Sequence, residues 1–323
     1  MASHVVFLNP RTCGIYKNGA PRFKTDPATG KRTSLIDNEL ADAVEAYLAG
    51  TPADGICNIP LHDIYERRVL VPTYYDERYN AGISALLKDL SVDGVTIGDL
   101  VDEATIHVRA GHGSPGNDQR AGHIPYLKVS DIRGLRINVN PTNLVTDAVA
   151  RRLWRGPSSG LQAWDVLTPN RASSNIGEFA MILPGEEKVV LTKEVFVLRV
   201  IDYEVWDAFY LLWSLSLQAV REQWRRIALM QTNREDCGDR YREIILPMPP
   251  SKEWAQRQSE AFRAYFLTIA AAKQQFLASV RGASSLYIAT VVTDGVPSPL
   301  EAPEGTIRTE PSVPSGVAAS EDS

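Results

Sequence analysis

The sequence predicts an α+β fold: a small mixed N-terminal region, a β-rich middle, then a long packing helix of coiled-coil-like spacing. Three observations carry this. Between Val95 and Ile201 short apolar runs alternate with Gly and Pro breaks, as half-buried strands do. From Lys252 to Val280 no Gly or Pro interrupts a helical pattern. Before residue 91, strand, turn and helix signals succeed one another at short range. The chain has 323 residues, 44% hydrophobic and 23% charged. That is enough for two domains and excludes disorder along the whole length.

The elements follow in order. Val5–Leu8 is an apolar strand, and Gly14, Gly19, Pro21, Pro27 and Gly30 mark a turn-rich stretch after it. Asp37 or Asn38 then caps a helix carrying Leu40, Val44, Tyr47 and Leu48 at helical spacing, which Thr51-Pro-Ala-Asp-Gly ends. Val69–Val71 reads as a short strand and Ile83–Leu90 as a helix. A short helix follows Thr96, and Ile106–Arg109 is a strand. The segments 123–139, 165–183 and 188–201 add strands, with "PGEEKVV" as a hairpin tip. Tyr203–Met230 reads as one deeply packed helix, apolar over too wide a surface to face solvent.

The last helix is capped by Ser251 after Pro247-Met-Pro-Pro250. Phe262, Ile269 and Phe276 fall seven apart, with Tyr265 and Ala272 in the d-type places, which predicts a seam against a partner helix through Phe262, Tyr265, Ile269 and Phe276. The domain boundaries predicted are 1–90 (small α/β region), 91–250 (β-rich domain), 251–282 (packing helix) and 292–323 (tail). The tail holds five prolines, three glycines and five serines with little to bury, so it is expected to be disordered.

Charge is the next constraint. With 34 Lys+Arg against 39 Asp+Glu the formal net charge is −5, which by itself argues against a polyanionic partner. The tail, however, contains six of the acids and only one base, so residues 1–291 balance at 33 of each. Between Thr105 and Asn175 nine bases, Arg109, Arg120, Lys128, Arg133, Arg136, Arg151, Arg152, Arg155 and Arg171, face four acids, Asp118, Asp131, Asp147 and Asp165. Eight of the nine are arginine, the side chain suited to bidentate contact with phosphate and guanine.

Other chemistry is weakly signalled. Gly111-His-Gly-Ser-Pro-Gly116 matches GxGxxG, but Pro115 and the glycines prolong a loop where a dinucleotide site needs a helix, so a flexible surface loop is expected. His107, His112 and His123 lack zinc-site spacing, and no metal site is expected. Asp165 with Glu186-Glu-Lys188 resembles the carboxylate and Glu-x-Lys set of Mg-dependent nucleases, which stays as an alternative. Cys13, Cys57 and Cys237 form no CxxC pair and suit a reducing, cytoplasmic setting. Neither a secretory leader nor a run approaching ~18 apolar residues is seen, so no membrane association is expected.

A set of segments carries a family resemblance. His123-Ile-Pro-Tyr-Leu-Lys-Val-Ser-Asp-Ile132 is followed by Val166–Ile182 with Ile176-Gly-Glu, then Val189–Val197 with Leu191-Thr-Lys. Leu211–Gln223 and Arg234–Asp239 lead on to Ile245-Leu-Pro-Met-Pro-Pro250 and the long helix. In this order they resemble the target-recognition domain of type I restriction-modification specificity subunits, over roughly residues 95–281. Residues 5–40 are similar to the hairpin and linker that close N6-adenine DNA methyltransferase domains. That family's Asn-Pro-Pro-Tyr/Phe tetrapeptide and S-adenosylmethionine loop are missing: Asn9-Pro10 continues as Arg-Thr and Asn140-Pro141 as Thr-Asn.

The resemblance implies a non-catalytic DNA sequence-recognition subunit of a restriction-modification or phage-defence system. Such a subunit directs a separate adenine methyltransferase, which holds S-adenosylmethionine, and can pair with a second recognition subunit. Arg109, Arg120, Lys128, Arg133, Arg151, Arg152, Arg155 and Arg171 are then the expected contacts to double-stranded DNA. A nuclease or diverged methyltransferase is the alternative.

Overall fold

The computed structural model describes residues 3–154, 160–171, 173, 175–229 and 236–280. Arg155, the Pro157-Ser-Ser run, the expected tail and the last two residues of the 251–282 region lie outside them. Strand β1 (His4–Leu8) is followed, within the turn-rich stretch, by the hairpin β2 (Phe23–Thr25) and β3 (Arg32–Ile36). Helix α1 (Glu39–Leu48) starts where the Asn38 side chain accepts the Ala41 amide at 3.3 Å, and β4 (Ile56–Pro60) then returns antiparallel to β1. Helix α2 (Leu61–Arg67), a 3₁₀ turn (Pro72–Tyr75) and helix α3 (Arg78–Leu90) complete this part.

Val69–Val71, expected as a strand, is not one. Its carbonyls serve the following turn: Val71 accepts from the Tyr74 amide at 3.0 Å, and Val69 from the Tyr75 hydroxyl at 2.8 Å. Val69 and Tyr74 pack with Leu229 from the far end of the chain. Tyr74 also donates to Glu243 at 2.5 Å, and Arg226 pairs with the same carboxylate at 2.9 Å. The segment around residue 74 is therefore docked on the rest of the chain.

The middle is layered. After β5 (Gly94–Thr96) and α4 (Ile97–Asp102) come β6 (Ile106–Ala110), β7 (Ile124–Leu127), β8 (Ile132–Arg133), β9 (Arg136–Ile137) and β10 (Leu144–Val145). Helix α5 (Asp147–Trp154) precedes β11 (Val166–Pro169), β12 (Ala180–Met181), β13 (Val190–Leu191) and β14 (Val195–Val200). One sheet has the order β12-β11-β14-β6 and a second the order β10-β7-β13, in which β13 runs parallel to β7. Residues 183–189 therefore cross between two sheets and are not a hairpin tip. The four-stranded sheet is apolar on both faces. Val166, Met181, Phe196 and Leu198 point to the helices, while Leu167, Ala180, Val195 and Val197 point to Leu127, Ile137 and Leu191. Covered on both sides, β7 has four buried residues in a row and not the expected alternation.

The C-terminal helices form the layer on the sheet's other side. The helix expected over Tyr203–Met230 breaks at Leu217, whose backbone is extended, into α6 (Ala208–Ser216) and α7 (Gln218–Ile227). The Ser214 and Ser216 hydroxyls bond back to the Leu211 and Leu212 carbonyls beside the break, a local competition that disfavours continuing the helix. Strand β15 (Ile245–Pro247) pairs with β5. Helix α8 (Lys252–Val280) then starts where the Ser251 hydroxyl accepts the Trp254 amide at 3.2 Å, and it lies against α6.

The buried face of α8 is Ala255, Ser259, Phe266 and Ala270, with Phe262 and Ile269 packed partly buried on the same core. The expected seam is thus split: Phe262 and Ile269 face the chain's own core, whereas Tyr265 and Phe276 are 45% and 52% exposed. Three of the four fully buried residues are small, and Phe266 is the one large side chain among them. An ion pair from Arg263 to Asp207, the residue capping α6, fixes the register.

Candidate nucleic-acid interface

The outermost layer is α5 on the three-stranded sheet. Ala150 is fully buried among Ile124, Tyr126, Val145 and Val190, with Val149, Leu153 and Trp154 packed around it. Trp154 Nε1 donates to the Val189 carbonyl at 2.9 Å and anchors the last turn. With that stripe facing inward, Arg151 and Arg152 are exposed on the opposite side. Arg152 reaches Gln119 at 2.7 Å, and its neighbour Arg120 lies over the Tyr126 ring at 5.4 Å while bonding the Pro115 carbonyl at 3.3 Å. At the other end of α5, Asp147 meets His123 at 3.1 Å and Lys188 at 4.0 Å. The layer thus gathers Arg120, Arg151, Arg152 and Lys188 on one small scaffold. Lys188 is an addition: reading 183–189 as a separate hairpin tip hid its place beside α5.

A second basic feature is the β8–β9 hairpin. Its turn, Gly134 and Leu135, takes positive φ at both positions (56° and 64°), the geometry that matches strand twist in a two-residue hairpin. Arg133 and Arg136 are cross-strand partners, and like charges directly opposite destabilise a ladder unless an anion lies between them. Asn175 pins the hairpin by donating to the Val129 and Ile132 carbonyls at 3.3 Å. Lys128 sits just before it, half-buried, with its amide bonded to Asp131 at 2.8 Å.

Two of the expected contacts already have partners within the chain. Arg171 is held by Glu194 at 2.5 Å and Asp236 at 3.7 Å, so its charge is neutralised internally. Arg109 is half-buried with its guanidinium on the Ala110 and Gly160 carbonyls, and burial pushes its pKa down. His107 nearby is also pushed below the usual imidazole value, by burial and by the guanidiniums of Arg199 and Arg109.

The acids of this region are largely committed. Asp165 is buried and bound twice by Arg199, at 2.7 and 2.6 Å, and Asp131 caps the turn before β8. Glu186 is buried and pairs with Lys273 of α8 at 2.7 Å. Asp165, Glu186 and Lys188 therefore serve three separate contacts and do not form one nuclease-like site. Among the described residues no group of three His, Cys, Asp or Glu is placed to hold a metal ion.

The Gly111–Gly116 loop is pinned, contrary to expectation. The His112 ring accepts the Leu191 amide at 2.9 Å, and a Cβ at Gly111 would lie 2.0 Å from the Thr192 carbonyl oxygen. Close backbone packing thus requires the glycine at 111, and Gly113 takes a positive φ of 151°. Cys237 is fully buried, which raises its thiol pKa to about 12, whereas Cys13 is exposed. No described helix is long and apolar enough to cross a membrane.

Fold and site together define a layered α+β module that presents arginines from its outer layer. No protein-family model matches the chain, and no curated protein matches its sequence. Among solved structures it is similar to the S subunit of a type I restriction-modification system from M. genitalium, at 12% identity and a TM-score of 0.36, covering 58% of this chain and 42% of that one. It is also similar to the HsdS subunit from Thermoanaerobacter tengcongensis, at 16% identity and a TM-score of 0.36, covering 71% and 55% respectively. A third is the type IIG restriction endonuclease BpuSI, at 11% identity and a TM-score of 0.41, covering 64% and 30%. The chain spans 30–55% of the length of these three structures.

Proposed function

We propose that this chain is a non-catalytic DNA sequence-recognition component of a restriction-modification or related defence system. On this reading it directs a separate adenine methyltransferase subunit that carries S-adenosylmethionine. The observation that carries the reading is the α5 layer: an apolar stripe and the Trp154 anchor hold Arg151 and Arg152 outward beside Arg120. The ordered motif resemblance from His123 to Pro250 supports it independently. Arg120, Arg151, Arg152, Arg133 and Lys128 divide between phosphate anchoring and base-edge contact, the first setting affinity and the second specificity. Tyr265 and Phe276, exposed on α8, are the residues offered to the methyltransferase or to a second recognition subunit.

The test is binding of the full chain to duplex DNA with Arg151→Ala and Arg152→Ala combined. If both contact phosphate, affinity falls and the slope of log Kobs against log salt drops by about 2. Unchanged retention of DNA at low salt would overturn the reading. Recovery of a methyltransferase subunit with the chain on affinity capture tests the other half of the proposal.

A further inference from the structure

The β2–β3 hairpin carries charge that neither the fold nor the recognition layers use. From Arg11 to Ile36 six bases, Arg11, Lys17, Arg22, Lys24, Lys31 and Arg32, face a single acid, Asp26. That matches the surplus of the 105–175 segment in about a third of its length. No residue from Ile15 to Asp42 is buried, and β2 and β3 pair only with each other. The hairpin is thus a narrow ribbon with solvent on both faces. A lone two-stranded ribbon is marginal in water, and clustered like charge weakens it further.

What stabilises the ribbon leaves its cations outward. At its base the Gly14 amide donates to Asp37 at 2.9 Å, Arg22 to Gly14 at 2.8 Å and Asp37 to Arg22 at 2.9 Å, all between backbone groups. At its tip Asp26 is consumed by the turn, accepting from the Ala28 amide at 2.9 Å and the Thr29 hydroxyl at 2.7 Å. Arg32 lies flat over Phe23 at 3.8 Å, which stiffens it without neutralising it. Arg22 pairs with Asp37 at 2.9 Å and Lys24 approaches Asp42 at 3.9 Å. Lys17, Lys31 and Arg32 form no ion pair among the described residues.

We infer that this ribbon is a second nucleic-acid contact, one that grips the sugar-phosphate backbone of duplex DNA apart from the surface presented by α5. A two-stranded ribbon is of a size the major groove admits. Its unpaired cations supply point charges for phosphates, while its lone carboxylate, the group suited to accept from cytosine, is tied up in the turn. The contact is expected to be with the backbone and independent of sequence; affinity lost for some duplexes and not for others would instead mean base contact by Arg32 and overturn that part of the inference. It extends the DNA-recognition reading and rests on it, but it can fail alone.

The experiment uses the full chain with Lys17→Ala, Lys31→Ala and Arg32→Ala combined, beside the Arg151→Ala/Arg152→Ala variant. Binding to several unrelated duplexes is measured over roughly 50 to 200 mM salt, the range in which phosphate contacts separate best. The ribbon variant should keep the parent melting temperature and lose about 3 from the salt slope, equally for every duplex. An unchanged slope, with the α5 variant still impaired, overturns the ribbon contact and leaves the recognition reading standing. Unchanged binding in both variants overturns both. A ribbon variant that binds DNA normally but no longer binds phosphatidylserine vesicles assigns the charge to a lipid surface and overturns the inference.

Discussion

Asp76 shows how one buried side chain ties the N-terminal strands to the helix that follows. Its carboxylate is almost fully buried, pairs with Arg78 at 2.6 Å and accepts from Asn9 of the β1 end at 2.7 Å. Burial alone would raise its pKa, but the hydrogen bonds from Arg78 and Asn9 win and hold the carboxyl below its usual value. A depressed carboxyl contributes stability above the unfolded value near ~3.9 and loses it as pH falls through the folded value. Asp76→Asn should therefore cost about 3 kcal/mol at pH 7. That deficit should shrink as pH falls below roughly 4, where the carboxyl of the unfolded chain begins to protonate, and should be lost in full only as pH passes through the lower folded value. Urea unfolding at pH 7 and pH 3 checks this, and an equal deficit at both would refute it. At this scale the sequence displayed side-chain chemistry but not pairing. Arg171 and Arg151 look alike as letters, yet Arg171 finds Glu194 and Asp236 across the fold while Arg151 has no partner among the described residues.

Helix α8 makes the corresponding point for elements. Its span from Lys252 to Val280 was legible, because Ser251 caps it and nothing breaks it. Its buried face was not, because Ala255, Ser259 and Ala270 carry little hydrophobic signal. Phe262, Ile269 and Phe276 stood out by size, and only the first two face the core. The break at Leu217 was hidden for a related reason: the apolar pattern runs through it without a Gly or Pro. The strands of the β2–β3 hairpin, which only the resemblance over residues 5–40 implied, are too short and too rich in cations to show an apolar period. A paired measurement separates the two faces of α8. Phe266→Ala, emptying a fully buried site, should destabilise the chain by about 3–5 kcal/mol. Phe276→Asp should leave the unfolding midpoint unchanged and release the proposed methyltransferase partner in affinity capture. Retention of the partner by Phe276→Asp would remove that residue from the proposed docking surface.

For the whole molecule, layering and charge were legible to different degrees. The alternation of strand and helix signals gave the α+β class, but not that β13 would join β7 in parallel or that β14 would lie between β11 and β6, since such pairings depend on residues distant in sequence. Charge is additive and could be divided along the chain without a structure. The net −5 resides in residues 292–323, and the remainder is neutral with basic surfaces at α5, β8–β9 and the β2–β3 ribbon. An acidic segment tethered to a DNA-binding body repels phosphate over a distance set by the Debye length, about 10 Å at 0.1 M salt and about 30 Å at 0.01 M. Removing residues 292–323 should therefore raise DNA affinity at low salt, chiefly through faster association, and leave it unchanged near 1 M salt, where the screening length is about 3 Å. Association rates of the full and shortened chains, measured across that range, check the expectation. A gain that persists at high salt would instead mean that the tail blocks the DNA surface by contact, and equal rates throughout would mean that the body never feels its charge.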